Sequence, residues 1–218
     1  MVIVIYESIW LTDWVRAVAD QLAGEGFIAV APDFLSGKGP GGKGSSAVAP
    51  DAARQLIGGL AQPEIVSRLN AVASWATKLP AATQQFAVIG YCWGGGISFQ
   101  YAAEQPALSA AVVYYGTSPS TESLSRVRAP VLGLYGGDDA RVNATVPAAE
   151  AELKRLGKSF AAETYAGAGH GFLRQQEARA ANRAAAEKAW PRTIEFLRQA
   201  LAPRTSSIGA AFALEAAF

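Results

Sequence analysis

One thiol, one imidazole and a few acids beside glycine-rich turns carry the chemistry available to this chain. Cys92 is the only cysteine and His170 the only histidine among 218 residues. Cys92 lies in Gly90-Tyr91-Cys92-Trp93-Gly94-Gly95-Gly96, directly after the apolar run 86–89. A strand that turns this sharply into a helix needs glycine at the neighbouring positions, and it pushes the tip residue out above the sheet in a strained conformation. Lone cysteines are usually buried and inert; glycines on both sides at elbow spacing favour a nucleophile here. A thiol is only slightly ionised at neutral pH and needs a base. His170, in Gly167-Ala168-Gly169-His170-Gly171, is the one imidazole that can serve. An acid on its other ring nitrogen would fix the tautomer and stabilise the cation. Asp138 and Asp139, after Gly136-Gly137, are the candidates, and either could instead cap a helix. A tetrahedral intermediate needs two backbone N–H donors. The elbow offers that of Trp93, and the loop after the first strand that of Ser8, beside Glu7.

These groups act together only if the fold brings them together, and the hydrophobic pattern says how. Residues 2–6 read as a buried strand, followed by a helix carrying Val15, Val18 and Leu22 and by a second buried strand over 27–31. A strand, a helix and a strand in close succession form a βαβ unit, which implies a parallel sheet. Further strands are expected just before Cys92 and over 110–115, 131–135 and 160–165. Helices are expected over 51–58, 62–78, 97–104, 146–156 and 177–201, the last broken near Trp190-Pro191. In the 62–78 helix, Ile65, Leu69, Val72 and Trp75 form the core-facing stripe. Residues 36–46 read as a flexible loop, and 203–218 as a tail with no place in the scheme. The expectation is one α/β domain over 1–202, a mostly parallel sheet with helices on both faces. Active sites in such sheets form outside the carboxyl ends of the strands. Glu7, Cys92, the Asp138-Asp139 pair and His170 all fall there, and the order nucleophile, acid, histidine is that of an α/β-hydrolase.

Composition narrows the alternatives. Half the residues are hydrophobic and the formal net charge is +1, which suits a globular enzyme and favours neither nucleic acid nor an anionic membrane as partner. One cysteine and one histidine are too few for a typical zinc site, and a free thiol suits a reducing, cytoplasmic compartment. No apolar run reaches membrane-spanning length, and the opening residues lack the pattern of a signal peptide. Gly37-Lys38-Gly39-Pro40-Gly41-Gly42-Lys43 nearly fits a P-loop. The pattern fails at Gly44, where Ser or Thr should hold magnesium, so a nucleotide-binding reading ranks behind a surface loop. A non-catalytic binding module that kept the pocket and lost the chemistry is the other alternative, and the complete set of polar groups argues against it.

The elbow, together with Gly136-Gly137-Asp138-Asp139-x-x-Val142 and Ala168-Gly169-His170-Gly171-Phe172, resembles the dienelactone hydrolase (carboxymethylenebutenolidase) family. Val4-Ile5-Tyr6-Glu7 and Ala31-Pro32-Asp33 fit its pattern too, so the likeness runs from Val2 to about residue 201. The resemblance implies an α/β-hydrolase fold and a hydrolase of lactones or small carboxylic esters that works through a thioester and needs no cofactor; a general esterase without dienelactone preference is the alternative. It implies Asp139 rather than Asp138 as the acid, and Glu7 as the carboxylate next to the resting thiol. It implies Arg174 as one of two arginines on a substrate carboxylate, with Arg54 in the region of the other. The chain departs from the family at Ser8-Ile9-Trp10, where an aliphatic-aromatic-glycine turn is more usual; Trp10 is therefore expected to shape an aromatic pocket with Trp93. Family members usually carry further strands before the one that begins here at Val2, which implies an open sheet edge.

Overall fold

The computed structural model describes residues 1–203; residues 204–218 of the expected tail lie outside them. The chain runs through β1 (Val2–Ile5), α1 (Asp13–Gly24), β2 (Ala29–Val30), α2 (Pro50–Gly58), α3 (Gln62–Ala76), β3 (Ala87–Tyr91) and α4 (Trp93–Glu104). It continues through β4 (Ala110–Tyr114), α5 (Thr121–Leu124), β5 (Val131–Gly136), α6 (Ala140–Asn143), α7 (Val146–Arg155), β6 (Phe160–Tyr165) and α8 (Ala180–Leu201). The six strands form one sheet in the order β2-β1-β3-β4-β5-β6, and every pairing is parallel. The central strands read as unbroken apolar runs because helices cover them on both faces.

The sheet grows outward from β1 in two directions, to β2 on one side and to β3 on the other. Right-handed crossovers in opposite directions put their helices on opposite faces. α8 packs beside α1, where Trp14 and Val18 face Ala186 and Trp190. α4 bonds to α3 through Tyr101 Oη and Asn70 Oδ1, 2.7 Å apart. The reversal of direction leaves a crevice at the carboxyl ends of β1 and β3, where open α/β sheets bind ligands. Glu7 follows β1 and Cys92 follows β3, so the topology delivers both to that crevice.

Several expectations need correction. The 27–31 strand shrinks to Ala29–Val30, a two-residue edge. Trp75 is exposed at 59%; Ile65, Leu69, Ala73 and Ala76 make the buried stripe of α3 instead, because Trp75 stands one residue, about 100°, off that line. Residues 36–46 fold around Asp33, whose carboxylate accepts from the backbone N–H of Leu35 at 2.9 Å and of Ser45 at 2.7 Å. Two short 3₁₀ turns fill this loop. α8 passes through Pro191 without a break. Proline removes one backbone donor, but Pro191 and Glu187 lie on the solvent side of α8, where water can take the orphaned carbonyl. Among the described residues no helix is long and apolar enough to cross a membrane.

Candidate active site

The elbow is built by close backbone approach. A Cβ on Gly94 would stand 2.3 Å from the Tyr6 carbonyl oxygen and 2.4 Å from that of Ile5, so only glycine lets α4 start against β1. A Cβ on Gly90 would stand 1.9 Å from the Gly94 carbonyl oxygen, which closes the turn from below. Between them Cys92 takes φ 55° and ψ −114°, a left-handed conformation costly for a side chain with a Cβ. Its N–H donates to the Tyr114 carbonyl at 3.0 Å, which ties the tip to β4. Half-buried, the thiol points into the crevice.

Three loops deliver polar partners to the thiol. His170 Nε2 lies 3.1 Å from Cys92 Sγ, and His170 Nδ1 lies 2.5 Å from Asp139 Oδ2. Asp139 is 7% exposed, and its other oxygen accepts from the Val142 amide at 3.4 Å, so it caps α6 and orients the imidazole with one carboxylate. Asp138 turns away to a surface ion pair with Arg179 at 2.8 Å. Of the two acids, then, Asp139 is the one on the ring. The His170 loop is held by Asn182, 2% exposed on α8, which accepts from the Gly169 amide at 2.9 Å and donates to the Gln175 carbonyl at 2.8 Å. Asn182 escapes a sequence reading because it lies on an otherwise ordinary helix, distant from any motif.

Electrostatics favour an ion pair between sulfur and ring. Burial alone pushes the Cys92 thiol up, but the His170 hydrogen bond and charge outweigh it and bring the pKa below that of a free thiol. Glu7 pushes the other way, and the Trp93 backbone amide, directed at the sulfur, helps to lower it. The hydrogen bond with Cys92 raises His170, burial lowers it, and Asp139 raises it again; the pKa is pushed up to about 9. The His170 ring also stands edge-on to Tyr115, with centroids 5.2 Å apart.

Glu7 is 4% exposed and accepts from Arg174 Nε at 2.6 Å. Burial raises its pKa against the opposing pull of Arg174 and His170. The thiol hydrogen-bonds to His170 rather than to Glu7 in this arrangement, and the expected resting contact is replaced by the Arg174 pair. Arg174 is thereby committed to an internal acid.

A cavity of about 450 Å³ opens over Cys92, lined by Trp93, Tyr115, Ser118, Gln62 and Arg141 among others. Trp93 stacks on Tyr6 with centroids 6.0 Å apart and meets Phe34 edge-on, which fixes one wall. Trp10 is not among the lining residues: it packs half-buried against the core at φ 77°, where the more usual glycine of that turn would be unstrained. Arg54 also lies outside the cavity, paired with Asp51 at the start of α2. Ser8 follows β1, and its amide donates to no backbone group among the described residues. Arg141, Gln62 and Ser118 went unnoticed in the sequence because nothing local marks them; only the fold brings three separate segments over the thiol. The P-loop likeness also dissolves, since Lys38 pairs with Glu64 at 2.9 Å and the Asp33 carboxylate occupies the loop. Among the described residues no three His, Cys, Asp or Glu side chains gather as metal ligands.

Residues 1–201 match the model of the Dienelactone hydrolase family. The chain belongs to that family. It is 30% identical over 210 residues to a protein of Escherichia coli (strain K12) described as "Putative carboxymethylenebutenolidase", across 91% of this chain and 76% of that one. A protein of the same description from Saccharolobus solfataricus is 28% identical over 232 residues, across 91% of this chain and 88% of that one. The crystal structure of a "Putative Dienelactone Hydrolase" from Klebsiella pneumoniae subsp. pneumoniae superposes with a TM-score of 0.78 at 29% identity, covering 91% of this chain and 86% of that one. This dienelactone hydrolase family member is therefore a hydrolase of α/β-hydrolase fold.

Proposed function

We propose that this family member cleaves lactones or small carboxylic esters through a thioester acyl-enzyme formed on Cys92, with His170 and Asp139 completing the triad. The observation that carries the reading is the unbroken chain of contacts from Cys92 Sγ to His170 Nε2 at 3.1 Å and from His170 Nδ1 to Asp139 Oδ2 at 2.5 Å. The Cys92 thiolate attacks the carbonyl carbon, and the oxyanion is held by the backbone N–H groups of Trp93 and Ser8. As the C–O bond breaks, the imidazolium of His170 passes its proton to the leaving oxygen. Water then gives a proton to His170 and attacks the thioester, the acid leaves, and the thiolate–imidazolium pair is restored. One domain, residues 1–202, carries all of this, and a reducing cytoplasm suits the lone thiol.

A general esterase without dienelactone preference is the second reading. Its support is that Arg174 is tied to Glu7 and Arg54 stands outside the cavity, so neither arginine named by the family resemblance is free for a substrate carboxylate. Both readings share one test, because both run through Cys92. Cys92→Ala should abolish release of p-nitrophenol from a p-nitrophenyl ester while circular dichroism stays that of the parent. A folded variant that hydrolyses as fast as the parent would remove both, and would leave room for a non-catalytic binding module.

A further inference from the structure

The segment that carries His170 lies outside every helix and strand, so the ladders that hold the rest of the site do not reach it. Among the described residues, Gly169 is the only one of residues 169–173 whose backbone N–H meets a protein acceptor. That acceptor is Asn182 Oδ1, at 2.9 Å, and His170 is the next residue along. The Asn182 amide nitrogen reaches the far end of the same segment and donates to the Gln175 carbonyl at 2.8 Å. Asparagine is a short side chain that accepts and donates at once, and both halves of its amide are used here. Gly169 and Asn182 are both buried, so bulk water does not compete for the contact between them.

A second observation concerns the element that Asn182 stands on. It lies in the first turn of α8. Farther along that helix, Thr193 Oγ1 lies 2.7 Å from Tyr114 Oη, with both side chains fully buried. Tyr114 in turn accepts the Cys92 N–H on its backbone carbonyl at 3.0 Å. One helix is thus bonded to the loop of the imidazole through Asn182 and to the strand that ties the thiol through Thr193. A rigid element joined to both fixes their separation, which is the 3.1 Å contact between His170 Nε2 and Cys92 Sγ. Asp139 orients the ring through its other nitrogen, but its side chain touches no backbone group of the His170 loop.

We propose that Asn182 is a positioning residue for the reaction: by holding Gly169 against α8, it sets His170 at proton-transfer distance from Cys92. The inference rests on the reading of His170 as the base that serves the Cys92 nucleophile.

Asn182→Leu keeps the approximate volume and removes both hydrogen bonds. Asn182 does not line the cavity over Cys92, so the loss should fall on kcat. For a p-nitrophenyl ester kcat should drop roughly 10–100-fold, the scale of a misplaced reacting group, with KM within about twofold of the parent. Glu7 and the Trp93 amide also face the thiol, and neither is bonded to Asn182. The pH midpoint of iodoacetamide labelling at Cys92 therefore reports the ring. It should rise by roughly one pH unit towards that of His170→Ala, as a hydrogen bond to a charged partner is lost. In a His170→Ala background the same substitution should leave the midpoint where it was, because the effect runs through the imidazole. A residue that served the fold alone would lower Tm and leave both kcat and the midpoint as in the parent. Asn182→Ala, which gives water room at both backbone groups, carries the same expectations should Asn182→Leu not fold. Parent-like kcat and midpoint in a folded variant, an equal shift in the His170→Ala background, or failure of both variants to fold would each overturn the inference. If Cys92→Ala hydrolyses esters as fast as the parent, the proposed function falls, while the labelling midpoint still tells whether Asn182 holds the ring at the thiol.

Discussion

Glu7 and Arg174 stand 167 residues apart in the chain and meet at 2.6 Å, with the carboxylate almost wholly buried. Glu7 leaves the end of β1 and Arg174 follows the His170 loop, so their contact ties those two segments together. A buried acid is tolerable only with a partner, and here that partner is the Arg174 guanidinium.

Removal of that partner should therefore cost stability before it costs specificity. Arg174→Gln leaves Glu7 buried and unmatched, a loss of about 3 kcal/mol, at the low end for a broken buried pair because Arg174 is part-exposed. In a domain of this size that lowers Tm by roughly 6–12 °C. Glu7→Gln/Arg174→Gln should recover most of it, since no unpaired charge remains. A Tm for Arg174→Gln within a degree or two of the parent would show that the pair is not holding Glu7.

How much of this was readable beforehand depends on the range of the signal. The elbow, the His170 loop and the acid pair were legible because glycine-rich turns at strand ends are local and carry their own sterics. The parallel sheet was legible from continuous apolar runs such as Val2–Ile5 and Ala110–Tyr114. The exposure of Trp75 is hidden in the sequence because a helical stripe drifts, and the small Ala73 and Ala76 carry a weak hydrophobic signal although they face the core. Pro191 looks like a break in the sequence because a sequence does not say which side of a helix faces water. The choice between Asp138 and Asp139, the capture of Arg174 by Glu7, the hold of Asn182 on the His170 loop and the place of Arg141 at the cavity all depend on how distant segments come together. No local pattern encodes those.

The charge state of the thiol should report its neighbours. Cys92 lies below the usual thiol range because of His170, and the imidazole is held up to about 9 by the same contact. Thiolate is the reactive form, so alkylation by iodoacetamide should reach half its plateau below the pH of a free thiol. In His170→Ala the two lowering effects vanish while burial and Glu7 remain, so the midpoint should move to higher pH. Glu7→Gln removes an effect that raises the thiol, so its midpoint should move to lower pH. Since Cys92 is the only cysteine, total labelling reads the site directly. Coincident profiles for the parent and His170→Ala would separate the ring from the thiol.

The two neighbouring aspartates give the sharpest contrast, because they share a turn and differ in what they touch. Asp139 accepts from His170 and caps α6, whereas Asp138 faces solvent and Arg179. Asn is as good a helix cap as Asp, so Asp139→Asn should keep α6 and the fold intact. What it loses is the charge that holds the imidazole in its working tautomer and steadies the imidazolium. In triads of this type that loss lowers kcat by about 10²–10⁴-fold. Asp138→Asn breaks an exposed ion pair worth about 0–1 kcal/mol, and its kcat should stay within twofold of the parent. Ester hydrolysis and thermal melting of both variants decide the matter. Equal kcat for the two, or a greater loss in Asp138→Asn, would mean that the 2.5 Å contact between Asp139 and His170 does not serve the reaction.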